Sequence, residues 1–142
     1  MLKIFRKYSI DYCFCFGSHI LKGELLNEYK NRIINFHPSL LPAFPGKKVI
    51  DQAIKANVQI LGNTAHFIDA GVDTGPIIMQ SVVSRKIFEN EGYDGVLDKQ
   101  IPMLYNIFKV LNTNNLELKE NRINLLNAHY NVVSYFPSIK ID

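Results

Sequence analysis

Cysteine is nearly absent from this sequence: Cys13 and Cys15 are the only two. Two positions apart in an apolar run, they share one face of a strand and make no disulfide framework. No cluster of histidine and cysteine completes a zinc site, so no metal is expected. Reduced thiols of this kind fit the cytoplasm. No apolar stretch approaches the roughly 18 residues of a membrane-spanning helix, so no membrane partner is expected. The start, Met1-Leu2-Lys3-Ile4-Phe5-Arg6-Lys7, carries charge but neither an apolar signal core nor a cleavage site. Charge of one sign is equally scarce. The 16 basic and 13 acidic residues leave +3, and they are scattered, with no basic run able to track a nucleic-acid backbone. A mild positive balance suits an anionic small molecule. There is no internal repeat, and the polar patch Asn112-Thr113-Asn114-Asn115 is short enough to be a turn.

What the chain does contain is a core. Its 142 residues, 47% hydrophobic and 11% aromatic, are enough for one domain at most. The run Tyr12-Cys13-Phe14-Cys15-Phe16 is apolar without a break, as in a strand covered on both faces. Gly17-Ser18 marks a turn. Leu21, Leu25, Leu26 and Tyr29 recur at helical spacing over residues 20–29. A second strand ends near Phe36, so this succession is a βαβ unit with a parallel pair. A helix is expected over 48–56. Strand follows over 58–61 and 64–68, broken at Gly62-Asn63 by a bulge or turn, and again over 77–84. Leu97, Ile101, Leu104, Phe108 and Leu111 space as one amphipathic helix over 96–111, with its stripe in the core and Pro102 as a kink. A small hairpin turns around residues 119–121. The expected fold is α/β: a partial Rossmann-like, mostly parallel sheet with flanking helices.

The chemistry concentrates between Arg32 and Pro76. Asn35 and His37, two apart on a strand, point to one face near its carboxyl end, where open α/β sheets place ligands. Pro38 keeps the chain extended as it leaves the sheet. The loop His37-Pro38-Ser39-Leu40-Leu41-Pro42-Ala43-Phe44-Pro45-Gly46 holds three prolines, which lower the entropy lost in fixing a shaped binding loop or a merely rigid connector. Asn35 brings an amide, His37 a group that shuttles protons near neutrality, and Asp73 a carboxylate able to orient an imidazole. Such a trio suits acyl-type transfer in which the attacking group belongs to the substrate. Spacing alone leaves a loop-capping Asn and His equally open, and does not join Asp73 to them.

Asn35-Phe36-His37-Pro38-Ser39-Leu40-Leu41-Pro42 through Gly46, Thr64-Ala65-His66-Phe67-Ile68, and Gly71-Val72-Asp73-Thr74-Gly75-Pro76 together resemble the folate-dependent formyltransferases. The nearest branch is phosphoribosylglycinamide (GAR) formyltransferase, with methionyl-tRNA and sugar N-formyltransferases as relatives. The resemblance covers roughly residues 11–125. It implies Asn35, His37 and Asp73 as the catalytic trio and 10-formyltetrahydrofolate as co-substrate. It places Ser18, His19, Ile20, Leu21, Asp69, Ala70, Gly71 and Val72 around the pterin, with His19 where the family often has arginine. It implies formyl transfer to the primary amine of GAR, in purine biosynthesis and one-carbon metabolism.

Two departures accompany it. The family's N-terminal strand, phosphate-binding turn and helices have no counterpart before Tyr12. Residues 1–128 are therefore expected to be a catalytic domain without its phosphate-binding part, and 129–142 a tail. This leaves a non-catalytic folate-binding remnant as the alternative, and a homodimer or a complementing N-terminal fragment as partner. Gln100 and Ile101 stand where GAR enzymes commonly carry an acidic residue and a histidine, which keeps an amino-sugar substrate open.

Overall fold

The computed structural model describes residues 1–17 and 21–130. Four strands form one sheet in the order β1-β2-β3-β4: β1 (Cys13–Cys15), β2 (Ile33–His37), β3 (Ile60–Phe67) and β4 (Ile77–Ser84). The helices are α1 (Leu2–Lys7), α2 (Glu24–Glu28), α3 (Val49–Lys55), α4 (Arg85–Leu97) and α5 (Gln100–Asn112). A hairpin of β5 (Leu116–Lys119) and β6 (Arg122–Leu125) forms a second sheet, as its spacing predicts.

The α/β architecture is as expected, but the sheet is mixed rather than mostly parallel. Only β1 and β2 run parallel, joined through α2. The β2–β3 and β3–β4 pairs are antiparallel. For β3 and β4 the reason lies in the connection. Residues 68–76 join β3 to β4 with no crossover helix, and a direct return of this kind yields antiparallel neighbours.

Every residue of β2 is buried, and its alternation divides the molecule. Ile34 and Phe36 face a core with Ala65, Phe67 and Ile78, closed by Met103 and Ile107 of α5 and by Leu125. Ile33 packs on the other side with Phe5 and Tyr29. Further along the sheet, Leu61 and Val83 meet Val49, Ile50 and Ala53 of α3 and Val96 of α4. At β2 the second face, filled by apolar side chains elsewhere, carries Asn35 and His37 instead.

Four local expectations change. β3 runs unbroken through Gly62-Asn63, and its register shift falls between Ala65 and His66. The helix expected over 96–111 is two, meeting near Asp98, and α4 was not legible because Gly92 interrupts it at φ 67°. Pro102 does not kink α5: it lies in the first turn, where a missing N–H leaves no bond unmade. The stripe expected in the core is also wrong. Ile101 and Phe108 are more than half exposed, whereas Gln100, Met103 and Ile107 are buried. α5 is apolar on two sides, and the side with Met103 and Ile107 took the sheet. Ile101, Leu104, Tyr105 and Phe108 instead form, with Phe14, an apolar groove beside the free edge of β1.

Candidate active site

The site begins with the antiparallel register of β2 and β3. Asn35 pairs with His66 and His37 with Thr64, so four polar side chains share one sheet face. Thr64 ties down the proline loop. Its hydroxyl donates to Ser39 O at 2.7 Å and accepts from Leu41 N at 3.0 Å and Gln80 Nε2 at 2.8 Å. Gln80 also donates to Leu41 O at 2.9 Å. These bonds hold the loop against the sheet by hydrogen bonding as well as by proline stiffness.

Asp73 arrives from the loop after β3. The glycines there work by close approach. A Cβ on Gly71 would lie 2.0 Å from Thr74 Oγ1, and one on Gly75 1.8 Å from Phe67 O. The residue of the 69–75 loop in the left-handed region is Asp73 itself, φ 55°. Aspartate tolerates this region better than most side chains do. Here Gly46 N donates to Asp73 Oδ2 at 2.8 Å, binding the two loops together.

The carboxylate lies between two imidazoles. Oδ2 is 3.4 Å from His37 Nδ1, and Oδ1 is 3.6 Å from His66 Nε2. His37 Nε2 is 2.9 Å from Phe44 O, so both its ring nitrogens face acceptors. His66 Nδ1 donates to Phe67 O at 3.0 Å, which leaves Nε2 of the neutral ring to accept from Asn35 Nδ2 at 3.5 Å. Asn35 Oδ1 is then buried with no hydrogen-bond partner among the described residues. An orphaned buried acceptor calls for a donor from outside the chain.

Burial is the main influence on His66 and holds its imidazole below the usual range, opposed by the Phe67 carbonyl and the Asp73 charge. A histidine depressed in the fold binds its proton more tightly in the unfolded chain. Stability therefore falls as pH drops below about 6.5. The urea midpoint is expected to decline between pH 7.5 and 5.5, with His66→Gln flattening the decline. An unchanged slope in the variant would assign the loss to other groups.

The cleft over these residues encloses about 570 Å³. Leu21, Asp69, Gly71 and Val72 line it, together with all three members of the trio. Ala70 is exposed and does not line it. Ser18, His19 and Ile20 lie outside the described residues, as does most of the 129–142 tail. The Asp69 carboxylate is used within its loop, accepting from Gly71 N and Thr74 Oγ1. Sequence reasoning missed Lys47, Lys48 and Tyr93, which also line the cleft, the buried Asn63, and Gln80, whose amide bonds Thr64 and the proline loop. Gln100 carried a signal: a polar residue in phase with Met103 and Ile107. No helix of the described residues is long and apolar enough to cross a membrane.

Comparison with known proteins identifies the family. The family model described as Formyl transferase matches residues 1–101. Phosphoribosylglycinamide formyltransferase of Bacillus subtilis (strain 168) is 54% identical over 64 residues, 45% of this chain and 33% of that protein. Formyltetrahydrofolate deformylase of Haemophilus influenzae is 52% identical over 65 residues, 46% of this chain and 23% of that protein. The crystal structure of glycinamide ribonucleotide transformylase 1 from Symbiobacterium toebii superposes with a TM-score of 0.80 at 31% identity, over 88% of this chain and 60% of that one. The chain thus matches a third or less of these curated relatives and three-fifths of that solved structure. With the family model matching well over half its residues, the chain belongs to the formyl transferase family.

Proposed function

We propose that this chain carries the catalytic centre for formyl transfer from 10-formyltetrahydrofolate to a small primary amine, that of phosphoribosylglycinamide. The observation that carries this reading is the meeting in one cleft of Asn35 and His37 with Asp73, which comes from a distant loop. The cleft fits the folate on its own chemistry: Phe16, Leu21, Ile68 and Val72 offer apolar surface, and Asn35 Oδ1 lacks a partner. Bound folate would supply the formyl carbon that the amine attacks. Asp73 holds His37 at one nitrogen, and His37 exchanges Phe44 O for substrate at the other. Asn35 accepts an N–H from the amine as it stands, or, with its amide turned, donates to the formyl oxygen as charge builds there. The amine's proton leaves through His37 and Asp73 and is returned to the departing folate nitrogen. Lys47 and Lys48 on the cleft wall favour an anionic acceptor.

The further assignments are ours as well. Residues 1–128 form the catalytic unit, acting in the cytoplasm. Its partner is a second copy or a chain supplying the phosphate-binding part, seated on the free edge of β1 and the groove beside it. Such an apolar patch, lined by Phe14, Ile101 and Phe108, is what an association surface offers.

One observation favours a second reading. The deformylase relative is nearly as similar as the transferase, and a trio that moves protons for an amine serves water equally. The test is to incubate the 142-residue chain with 10-formyltetrahydrofolate, with and without GAR, and to quantify formyl-GAR and formate. Formyl-GAR as main product supports the transferase. Formate released at the same rate with or without GAR supports the deformylase, and neither product leaves the folate-binding remnant.

A further inference from the structure

The amide of Asn35 is held by a titratable partner, and that makes its orientation conditional. Phe67 O can only accept, so His66 Nδ1, 3.0 Å away, carries a proton in every state of the ring that keeps this bond. The other neutral tautomer would set a lone pair against that carbonyl. Nε2 therefore decides what Asn35 meets at 3.5 Å. In the neutral ring it is an acceptor. Asn35 then presents Nδ2, and Oδ1 is left unpaired among the described residues. In the imidazolium Nε2 becomes a donor, which opposes the Asn35 N–H groups and matches Oδ1. The amide can answer by a half-turn about its terminal torsion, which is broad and two-fold. Nitrogen and oxygen are alike in size, so the turn preserves the packing of a side chain only 8% exposed.

The surroundings admit the charged ring. Asp73 Oδ1 lies 3.6 Å from His66 Nε2. Three ionisable groups act on His66. Asp73 and Asp69, on the loop after β3, favour its cation, and His37, on β2, opposes it when protonated. Burial outweighs the two carboxylates, so the free protein keeps the ring neutral at pH 7.

A formyl oxygen at the free end of the amide changes this balance. Beside the neutral ring it would meet Oδ1, one acceptor against another. Beside the imidazolium every group is paired. Nδ1 donates to Phe67 O, Nε2 to Asn35 Oδ1 and Asp73 Oδ1, and Asn35 Nδ2 to the formyl oxygen. We propose that His66 is a positioning residue for formyl transfer: its protonation turns Asn35 from acceptor to donor, so that binding an N-formyl group and taking up a proton at His66 Nε2 are one linked event. This rests on the function proposed above, in which the free end of Asn35 meets the formyl group. The proton comes from solvent, and linkage is reciprocal, so each ligand tightens the other. The formyl oxygen thereby meets a donor backed by a cation before charge builds on it.

The test follows protons rather than turnover. In the ¹⁵N-labelled 142-residue chain, the side-chain amide signals of Asn35 should titrate with the ring signals of His66, at one midpoint below about 6.5. In His66→Gln, whose side chain does not ionise, that Asn35 response should vanish. Calorimetry in two buffers of different ionisation enthalpy then counts the protons bound with each ligand. 10-Formylfolate carries the formyl group and does not cyclise. It should take up about half a proton or more at pH 7, and bind about threefold tighter or more per unit fall in pH. Folate, which lacks the formyl oxygen, should take up none at His66. The wild-type comparison of the two compounds decides the matter even where the variant fails to fold. Separate midpoints for Asn35 and His66, an unchanged Asn35 response in His66→Gln, or equal proton uptake with the two bound compounds would each overturn the proposal. Matched midpoints with no binding of either compound would uphold the turning of Asn35 by His66 and count against the function proposed above.

Discussion

Formyl transfer by a His37→Ala variant is expected to fall by about 10³- to 10⁴-fold, the range in which a positioned proton-transfer group acts. His37 is 4% exposed and is held from both sides, by Asp73 at Nδ1 and Phe44 O at Nε2. His66 cannot replace it, because it directs one nitrogen to Phe67 O and the other to Asn35 and Asp73. The fall should appear in kcat, while the dissociation constant for 10-formyltetrahydrofolate, measured by fluorescence or calorimetry, stays within a few-fold of wild type. Comparable loss of folate affinity would recast His37 as a binding residue. Transfer within tenfold of wild type would remove the trio from the mechanism altogether.

The second large effect is structural. Gly62→Ala is expected to destabilise the fold by about 3 kcal/mol or more, at the upper end of overpacking costs. A Cβ at residue 62 would lie 2.2 Å from Ser81 O on the paired strand and 2.6 Å from Leu40 Cδ2. The first neighbour is backbone within a ladder, so it cannot turn aside. The second belongs to the loop that carries His37. Relief by moving Leu40 would therefore pull on Ser39 and Leu41, the residues tied to Thr64. Urea denaturation gives the stability change directly. A midpoint within about 0.5 kcal/mol of wild type, the ordinary range for surface substitutions, would show that β3 and β4 do not approach this closely.

The same glycine explains one limit of the sequence. Gly62-Asn63 reads as a break because glycine usually signals a bend, and here it signals contact between a strand and a loop more than 20 residues earlier in the chain. No local pattern carries that information. The trio was legible for the opposite reason. Asn35 and His37 depend on a period of two, and Asp73 belongs to a short motif whose spacing resembles a known one. Strand β4, the hairpin and α3 were legible from periodicity and turn residues. α4 was not, since Gly92 divides it into pieces too short to show a stripe. The orientation of α5 failed for a sharper reason: two apolar stripes competed, and burial chose the one interrupted by Gln100. The polar residue in the buried phase was the informative one, because an amide is tolerated there only with its hydrogen bonds satisfied.

The alternation along β2 has a consequence for the fidelity of folding. Ile34 and Phe36 supply cohesion to one layer, while Asn35 and His37 supply chemistry to the other, and adjacent positions on a strand exchange faces on a one-residue slip. A misregistered β2 would drive a carboxamide and an imidazole into a compartment of isoleucine, phenylalanine and methionine. It would also turn two large apolar groups toward the cleft. Such a species loses its cohesion and its reactive groups in the same event, so no half-competent form lies between correct and incorrect pairing. Stability and the site proposed above are thereby coupled: a molecule stable enough to persist is one whose Asn35 and His37 already stand where Asp73 can reach them.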